Sequence, residues 1–424
     1  MMSRRKFITL CGKLCIALGL SSYFPGIASA AQTADGHPRL TDAAFFRQLV
    51  TSDPAHSRIL MFQSDKLLKE LRLEYRKTGV PDSRFLPIAY QYLEQESMPQ
   101  FIYHCELSAL PPGARHEFRI LSGERATDWQ PVIPVHEDSF QMLIFCDSQC
   151  VDYGVWREVA EAACHRHPAA ELSTVIGDFT DNGQSFYQWQ GWFQGAERLL
   201  SSTIFAPVMG NHECYDLKWQ MCLPEGYLAY FRHPANGSLR FNEYYYSFDY
   251  GPVHFIVLNN QFDELDGIRP GLLREQLAWL QRDAEKNRLP WKVVLMHKDV
   301  IHYEYPDPVK GPCYINDIGE AFMGAFDALG IDLVLTGHLH TYRNRHHIFA
   351  GKPADRGPAY VLCGLAGDQR YPGIRIDPVF DKVTAPQPET DNYLTLDTAS
   401  ETLRLRCYLP DGTVIDDMTL RKGS

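Results

Sequence analysis

The chain has 424 residues, 45% of them hydrophobic and 12% aromatic, a composition that builds a large core and leaves room for two domains. Its formal net charge at pH 7 is −11, and a surface of that sign repels long polyanions, so nucleic acid is excluded as a default partner unless a local basic or metal-filled cleft overrides the field. No low-complexity tract and no internal repeat is present, which leaves an ordinary globular protein.

The first thirty residues stand apart. Ser3-Arg4-Arg5-Lys6-Phe7-Ile8 is a twin-arginine stretch, followed by a weakly apolar region and then Ala28-Ser29-Ala30, which fits an A-x-A cleavage site. Residues 1–30 therefore read as an export signal removed after Ala30, with a twin-arginine translocon as the transient partner and a periplasmic or secreted destination. A spanning helix is the weaker alternative, because Lys13 interrupts the apolar run and Pro25 lies within it. No later segment is long and apolar enough to cross a bilayer, so stable membrane insertion is not expected. Removal of this segment takes away Arg4, Arg5, Lys6 and Lys13 and no acid, moving the net charge from −11 to −15. Of eleven cysteines, Cys11 and Cys15 leave with it. Cys146, Cys363 and Cys407 lie in apolar strand-like runs and read as buried thiols. Cys214 and Cys222 flank a loop, and both the paired and the free state remain open for them.

Residues 31–136 are strand-like and turn-rich. FIYHCELSAL (101–110) and PPGARHEFRI (111–120) read as two alternating strands joined by a Pro-Gly turn, which favours a small β-sandwich. DAAFFRQLV (42–50) reads as a helical lead-in. From residue 137 the period changes to repeated strand–helix units: strand QMLIFC, amphipathic GVWREVAEAACHRH, strand STVIG, helix-like FYQWQGWFQGAERLL and strand TIFAPVMG. A strand pair follows in YYYSFDYGPVHFIVLNN, then a helix from about Leu272 to Asn287, strand KVVLMH, a helix near Ala321 to Leu329 and strand DLVLTG. The tail, 393–422, alternates around Asp411-Gly412 as an antiparallel hairpin. Such units demand a mostly parallel sheet with helices on its faces, and in such a sheet the site lies beyond the carboxyl ends of the strands.

Five successive strands end in side chains suited to metals. The first delivers Asp147 and Gln149, the second Gly177-Asp178-Phe179-Thr180-Asp181, and the third Gly210-Asn211-His212-Glu213; the fourth ends in His297 and the last in Gly337-His338-Leu339-His340. Taken singly, Gly-Asp after a strand is a turn, Asn-His a helix cap, and His297 a satisfied histidine. The His338-x-His340 pair is stronger, because residues two apart on an extended segment point the same way. Together the five ends point to a dinuclear metal centre.

These motifs resemble those of the calcineurin-like metallophosphoesterase superfamily, which run Asp-x-His, Gly-Asp-x-x-Asp/Asn, Gly-Asn-His-Asp/Glu, a single His and Gly-His-x-His. Within it, FNEYYYSFDYGPVHFIVLNN, VVLMH and LTGHLHTYR are similar to the catalytic domain of purple acid phosphatases, and FIYHCELSALPPGARHEFRI resembles their N-terminal fibronectin-type sandwich. The resemblance implies an α/β fold, a four-layer αββα metallophosphoesterase sandwich over 137–424, preceded by an all-β sandwich over 31–136. It implies two divalent or mixed-valence metal ions (manganese, iron or zinc) held by Asp147, Asp178 and His340 on one side and by Asp178, Asn211, His297 and His338 on the other. A shared hydroxide would attack the phosphorus of a small phosphorylated substrate, and His212, held by the Asp181 carboxylate, would serve the leaving group. His302, Tyr303 and Arg343 stand where substrate contacts or metal support are expected.

Two positions depart from the purple acid phosphatases, which carry Gly where Gln149 stands and a metal-binding Tyr where Asp181 stands. Without that phenolate no purple colour is expected. Gln149 occupies the place of the wider superfamily's histidine ligand, where its amide oxygen either joins the first metal or orients a water. The sequence thus reads as an exported dinuclear phosphatase acting on phosphomonoesters, with a phosphodiesterase on the same centre, or a binding protein of the same fold that has lost turnover, as the alternatives.

Overall fold

The computed structural model describes residues 31–422 apart from 112, 304–312, 372 and 387–389. The twin-arginine stretch, Ala28-Ser29-Ala30, Cys11 and Cys15 lie outside the described residues.

Two large sheets carry the fold. One runs, in spatial order, Val414–Arg421, Thr402–Tyr408, Tyr393–Ala399, Phe140–Phe145, Leu172–Val175, Ile204–Phe205, Ala44–Leu49, Arg58–Ser64, Met98–Leu107 and Ala89–Gln95. The other runs Tyr246–Tyr250, Val253–Val257, Trp291–Leu295, Leu333–Thr336, Ala359–Cys363, Tyr342–Phe349 and Lys352–Pro353. Phe140–Phe145, Leu172–Val175 and Ile204–Phe205 are mutually parallel, as are Val253–Val257, Trp291–Leu295, Leu333–Thr336 and Ala359–Cys363. Parallel pairing sends the carboxyl ends of neighbouring strands to one edge, which is how ligands distant in sequence meet.

The period-two alternation of the strands sorts their side chains into layers. Met142 and Ile144 pack with Val253, Phe255, Val293, Leu295, Leu333 and Leu335 between the sheets. Leu143, Phe145, Ile256, Val294 and Val334 point the other way, under helices. On the outer face of the first sheet the helix Tyr153–Arg166 buries Trp156, Val159, Ala160 and Ala163 at helical spacing, and Asp152 caps it by accepting Gly154 N–H at 2.9 Å. Trp156 stacks on Trp192 at 5.9 Å, and Trp189 and Trp192 are fully buried; the aromatics of WQGWFQ pack against the sheet. The helices Leu272–Lys286 and Asp317–Leu329 cover the second sheet. These layers are helix, sheet, sheet, helix. Each fully buried Val, Leu, Ile or Phe side chain contributes roughly 1.5–3 kcal/mol, so this double core holds the site rigidly.

The N-terminal part corrects two expectations. DAAFFRQLV is no helix: Ala44–Leu49 is a strand, pairing in parallel with Ile204–Phe205 on one side and antiparallel with Arg58–Ser64 on the other. Tertiary pairing at a sheet edge outweighs the weak helical pattern. Met98–Leu107 and His116–Ser122 are both strands, yet they do not form a hairpin. The first pairs with Arg58–Ser64 and Ala89–Gln95, the second with Leu71–Lys77. They belong to opposite sheets of a small sandwich whose core holds Leu60, Phe62, Leu73, Tyr103, Leu107, Phe118 and Ile120. One sheet of that sandwich is continuous with the first large sheet. No helix among the described residues is long and apolar enough to cross a membrane.

Candidate metal centre

The five strand ends converge. Asp178, His297 and His338 place ligand atoms within 4.8 Å of one another, and so do Asp147, Asp178 and His340. Asp178 belongs to both groups. Its Oδ2 lies 3.0 Å from His297 Nε2, and Asp147 Oδ1 lies 3.4 Å from His340 Nε2. Asn211 completes the second group, with Oδ1 3.0 Å from His297 Nε2.

The backbone is bent to make this possible. Asp147 (φ +48°), Asp178 (φ +53°), His338 (φ +79°) and His340 (φ +51°) all occupy the left-handed region, which costs a non-glycine residue on the order of 1–3 kcal/mol and persists where surrounding structure enforces it. Gly177 (φ +78°) has no room for a side chain, because a Cβ there would lie 2.3 Å from His297 Nδ1; at Gly210 it would lie 2.2 Å from Asp178 Oδ1. These glycines let the two loops approach the ligands edge to edge.

Two of the three imidazoles are oriented from behind. His297 Nδ1 lies 2.8 Å from the Ile176 carbonyl oxygen, which places a proton there and turns Nε2 toward Asp178 and Asn211. His340 Nδ1 meets the Gln369 carbonyl oxygen, and its ring stacks on Tyr371 at 4.3 Å. Gln149 is buried, its N–H donates to Asp178 O at 3.0 Å, and its Oε1 has no hydrogen-bond partner. A buried amide oxygen left orphaned costs roughly 1–3 kcal/mol, and a cation removes that cost.

The clustered groups also shift one another's charge. Burial raises the Asp178 carboxyl, but His297, His212 and His338 outweigh it and hold the group below the ordinary carboxylate range. Burial lowers His297, and Asp178 more than reverses this to bring it to about 9. Burial and then His297 push His338 down to about 3. One imidazole charges and its neighbour does not, since two like charges around one carboxylate repel. Carboxylates, imidazoles and amide oxygens, two clusters sharing one carboxylate, and an orphaned acceptor together fit two metal ions.

His212 stands beside the centre, with Nε2 3.8 Å from Asp178 Oδ2. The expected His212–Asp181 carboxylate bond is corrected: Nδ1 is 2.8 Å from the Asp181 backbone carbonyl oxygen, whereas the nearer carboxylate oxygen is 3.7 Å away. Of the expected substrate contacts, Tyr303 and Arg343 are buried away from solvent. The Tyr303 hydroxyl donates to Asp381 (2.6 Å) and accepts from Arg345 Nε (2.9 Å), and Arg343 Nη2 donates to the Ile374 carbonyl (3.4 Å). His302 is exposed and stacks on Tyr314 at 4.8 Å. Cys214 and Cys222 are free thiols, although Cys222 N–H donates to Cys214 O at 2.8 Å.

Three further groups support the ligands. The Glu213 carboxylate, fully buried, accepts N–H groups from Asp178 (3.1 Å), Phe179 (3.0 Å) and Gly210 (2.7 Å); its place in the Gly-Asn-His-Glu motif was the available signal. Asp299 forms a two-pronged ion pair with buried Arg345 at 2.9 and 2.7 Å and accepts the Thr336 hydroxyl at 2.7 Å, fixing the strand end before Gly337. Residues 364–371 run beneath the first group, where Ala366 and Gly367 donate to the Cys146 and Asp147 carbonyls at 2.8 and 3.0 Å. That segment acts through its backbone, the Tyr371 ring and the Asp368 carboxylate, which accepts the N–H groups of Val151 and Asp152 at 3.0 Å, and no residue pattern announced it.

The calcineurin-like phosphoesterase family model matches residues 135–342, which span all of these ligands. Among curated proteins the chain is similar to purple acid phosphatase 15 of Arabidopsis thaliana, 26% identical over 271 residues that cover 56% of this chain and 48% of that one. The chain spans about half the length of the first curated relatives it matches. Among solved structures, a purple acid phosphatase from yellow lupin (Lupinus luteus) seeds superposes with a TM-score of 0.73 at 15% identity, covering 91% of this chain and 75% of that one. The structure of PhoD superposes with a TM-score of 0.60 at 13% identity, covering 91% and 95%. These two likenesses are likenesses of fold.

Proposed function

Since the chain carries a calcineurin-like metallophosphoesterase domain over residues 135–342, we propose that it hydrolyses phosphomonoesters at a dinuclear metal centre. The observation that carries this reading is the Asp178 carboxylate, common to two ligand clusters. Asp147, Gln149, Asp178 and His340 would hold one ion; Asp178, Asn211, His297 and His338 would hold the other. When bound, such a pair supplies Lewis-acid chemistry, lowering the pKa of a shared water and drawing charge from phosphoryl oxygens. Manganese or iron suits the oxygen-rich first cluster, and zinc the histidines.

The protein's own groups do the rest. His212, anchored through Nδ1 to the Asp181 carbonyl, keeps Nε2 facing the site and delivers a proton to the leaving-group oxygen. Glu213 holds the Asp178 and Gly210 loops at fixed separation, so the ligands are positioned before substrate arrives. The twin-arginine stretch and Ala28-Ser29-Ala30 support export of the mature chain to the periplasm or beyond.

The test is turnover of p-nitrophenyl phosphate against its bis ester after reconstitution with manganese, iron or zinc. The monoester is expected to have the higher kcat/KM. Preference for the diester would make the protein a phosphodiesterase, and metal binding without hydrolysis of either would leave a binding protein.

A further inference from the structure

Directly after Glu213 the chain makes a tight excursion that returns at Cys222. Tyr215 and Met221 pair across it, Asp216 N–H donates to Gln220 O at 2.8 Å, and Cys222 N–H donates to Cys214 O at 2.8 Å. The Asp216 carboxylate accepts the N–H groups of Lys218 (2.7 Å) and Gln220 (2.9 Å), and Asn182 Nδ2 donates to the Asp216 carbonyl. The tip is therefore a fixed turn. It presents Trp219, in the left-handed region at φ +61°, a conformation that a bulky side chain adopts only when its surroundings enforce it.

Trp219 is 47% exposed, and Leu217 and Met221 beside it are each 51% exposed. Three large apolar side chains within five residues thus stand half in water, outside the hydrophobic core clusters. Trp219 has a fixed address. The Trp219 ring meets the His212 ring edge to face, at 5.6 Å and 87°, and Tyr215 flanks both at 6.1 Å.

On the reading of His212 as proton donor to the leaving group, we infer that Trp219, with Tyr215, Leu217 and Met221, forms the leaving-group subsite and selects phosphate esters whose leaving group carries a flat aromatic ring. The ester oxygen faces His212 Nε2, so the rest of the leaving group extends past the imidazole, where Trp219 is the half-exposed ring in contact. A phosphate held by metals gives no discrimination among esters, since the phosphoryl group is common to all. Discrimination has to come from the alcohol side, and an aromatic face held rigid by the Asp216 turn binds another ring without a new entropic cost of ordering. Trp219 is thus a specificity residue that touches substrate, distinct from the groups that perform the chemistry.

The test compares kcat/KM for 1-naphthyl phosphate and ethyl phosphate in metal-reconstituted wild type, Trp219→Ala and Trp219→Phe. Alongside, binding of phenylphosphonate and methylphosphonate to the same proteins is followed by titration calorimetry. Stacking of one ring on an aromatic side chain predicts that the naphthyl-to-ethyl ratio falls about tenfold in Trp219→Ala, through KM more than kcat, with most of it retained in Trp219→Phe. Phenylphosphonate should lose affinity relative to methylphosphonate by a similar factor. An unchanged ratio in Trp219→Ala, even with both esters slowed together, overturns the inference, because that pattern belongs to a residue that only props His212. A wild type that hydrolyses neither ester and binds neither phosphonate overturns the phosphoesterase reading itself, and this inference with it.

Discussion

Glu213 grips the backbone of Asp178: its Oε2 accepts the Asp178 N–H at 3.1 Å while also accepting the Gly210 N–H at 2.7 Å. One buried carboxylate thus ties together the loops that supply the shared ligand, Asn211 and His212. Glu213→Ala leaves three buried N–H groups without an acceptor and frees both loops. Metal affinity should fall by about 10- to 100-fold, the usual effect of removing a group that orients a ligand, and Glu213→Gln should lose less because it keeps one acceptor oxygen. Equilibrium metal titration decides this, and equal affinities in all three proteins would remove Glu213 from the account.

His212 and Asp181 separate under mutation. His212→Ala should keep both metals and lose on the order of 10²- to 10⁴-fold in rate, the contribution of a positioned acid. Asp181→Asn should stay within about fivefold of wild type, since its carboxylate is 3.7 Å from the ring and acts as no more than a weak ion pair, while the backbone carbonyl does the anchoring. Loss of a metal equivalent in His212→Ala would reassign the histidine as a ligand.

The strand ends were legible because the chemistry there is carried by side chains next to apolar runs: Asp147 after QMLIFC, Asp178 after STVIG, His338 and His340 after DLVLTG. Spacing alone brings them to one edge once the strands are parallel. What the sequence did not disclose is carried by backbone and by pairing. Ala44–Leu49 looked helical because nothing local marks Ile204–Phe205 as its partner. The Gly367 N–H that supports Asp147 is invisible to any residue pattern. Tyr303 and Arg343 were expected to contact substrate or support the metal shell by their position after ligands, and their burial, a property of the whole fold, could not be read from that position.

Gln149 makes a spectroscopic and a thermodynamic prediction. With Asp181 in place of a tyrosine, the iron-loaded protein should show no strong visible phenolate band. Because the buried Oε1 lacks a partner, Gln149→Ala should weaken the first site selectively, by about 10- to 100-fold or more, whereas Gln149→His should bind and shift preference toward zinc. Titration of each protein with manganese and zinc reads both effects. Identical curves would mean that Gln149 merely lines the cleft.

Export is tested on the precursor. Replacing Arg4 and Arg5 by lysine should hold the chain, uncleaved, in the cytoplasm, and the exported wild type should begin near Ala31 by N-terminal sequencing. Normal export of the Lys-Lys variant would assign the segment to the general secretory route.

The shared Asp178 is the centre of the account, and metal stoichiometry tests it most directly. Elemental analysis of the reconstituted protein should give two metal ions per chain in the wild type. His340→Ala and His297→Ala, each touching one cluster, should lower that number to about one, while Asp178→Asn should lose both ions with its far-ultraviolet circular dichroism unchanged. An Asp178→Asn protein that still holds two ions, or a wild type that never binds more than one, would contradict it.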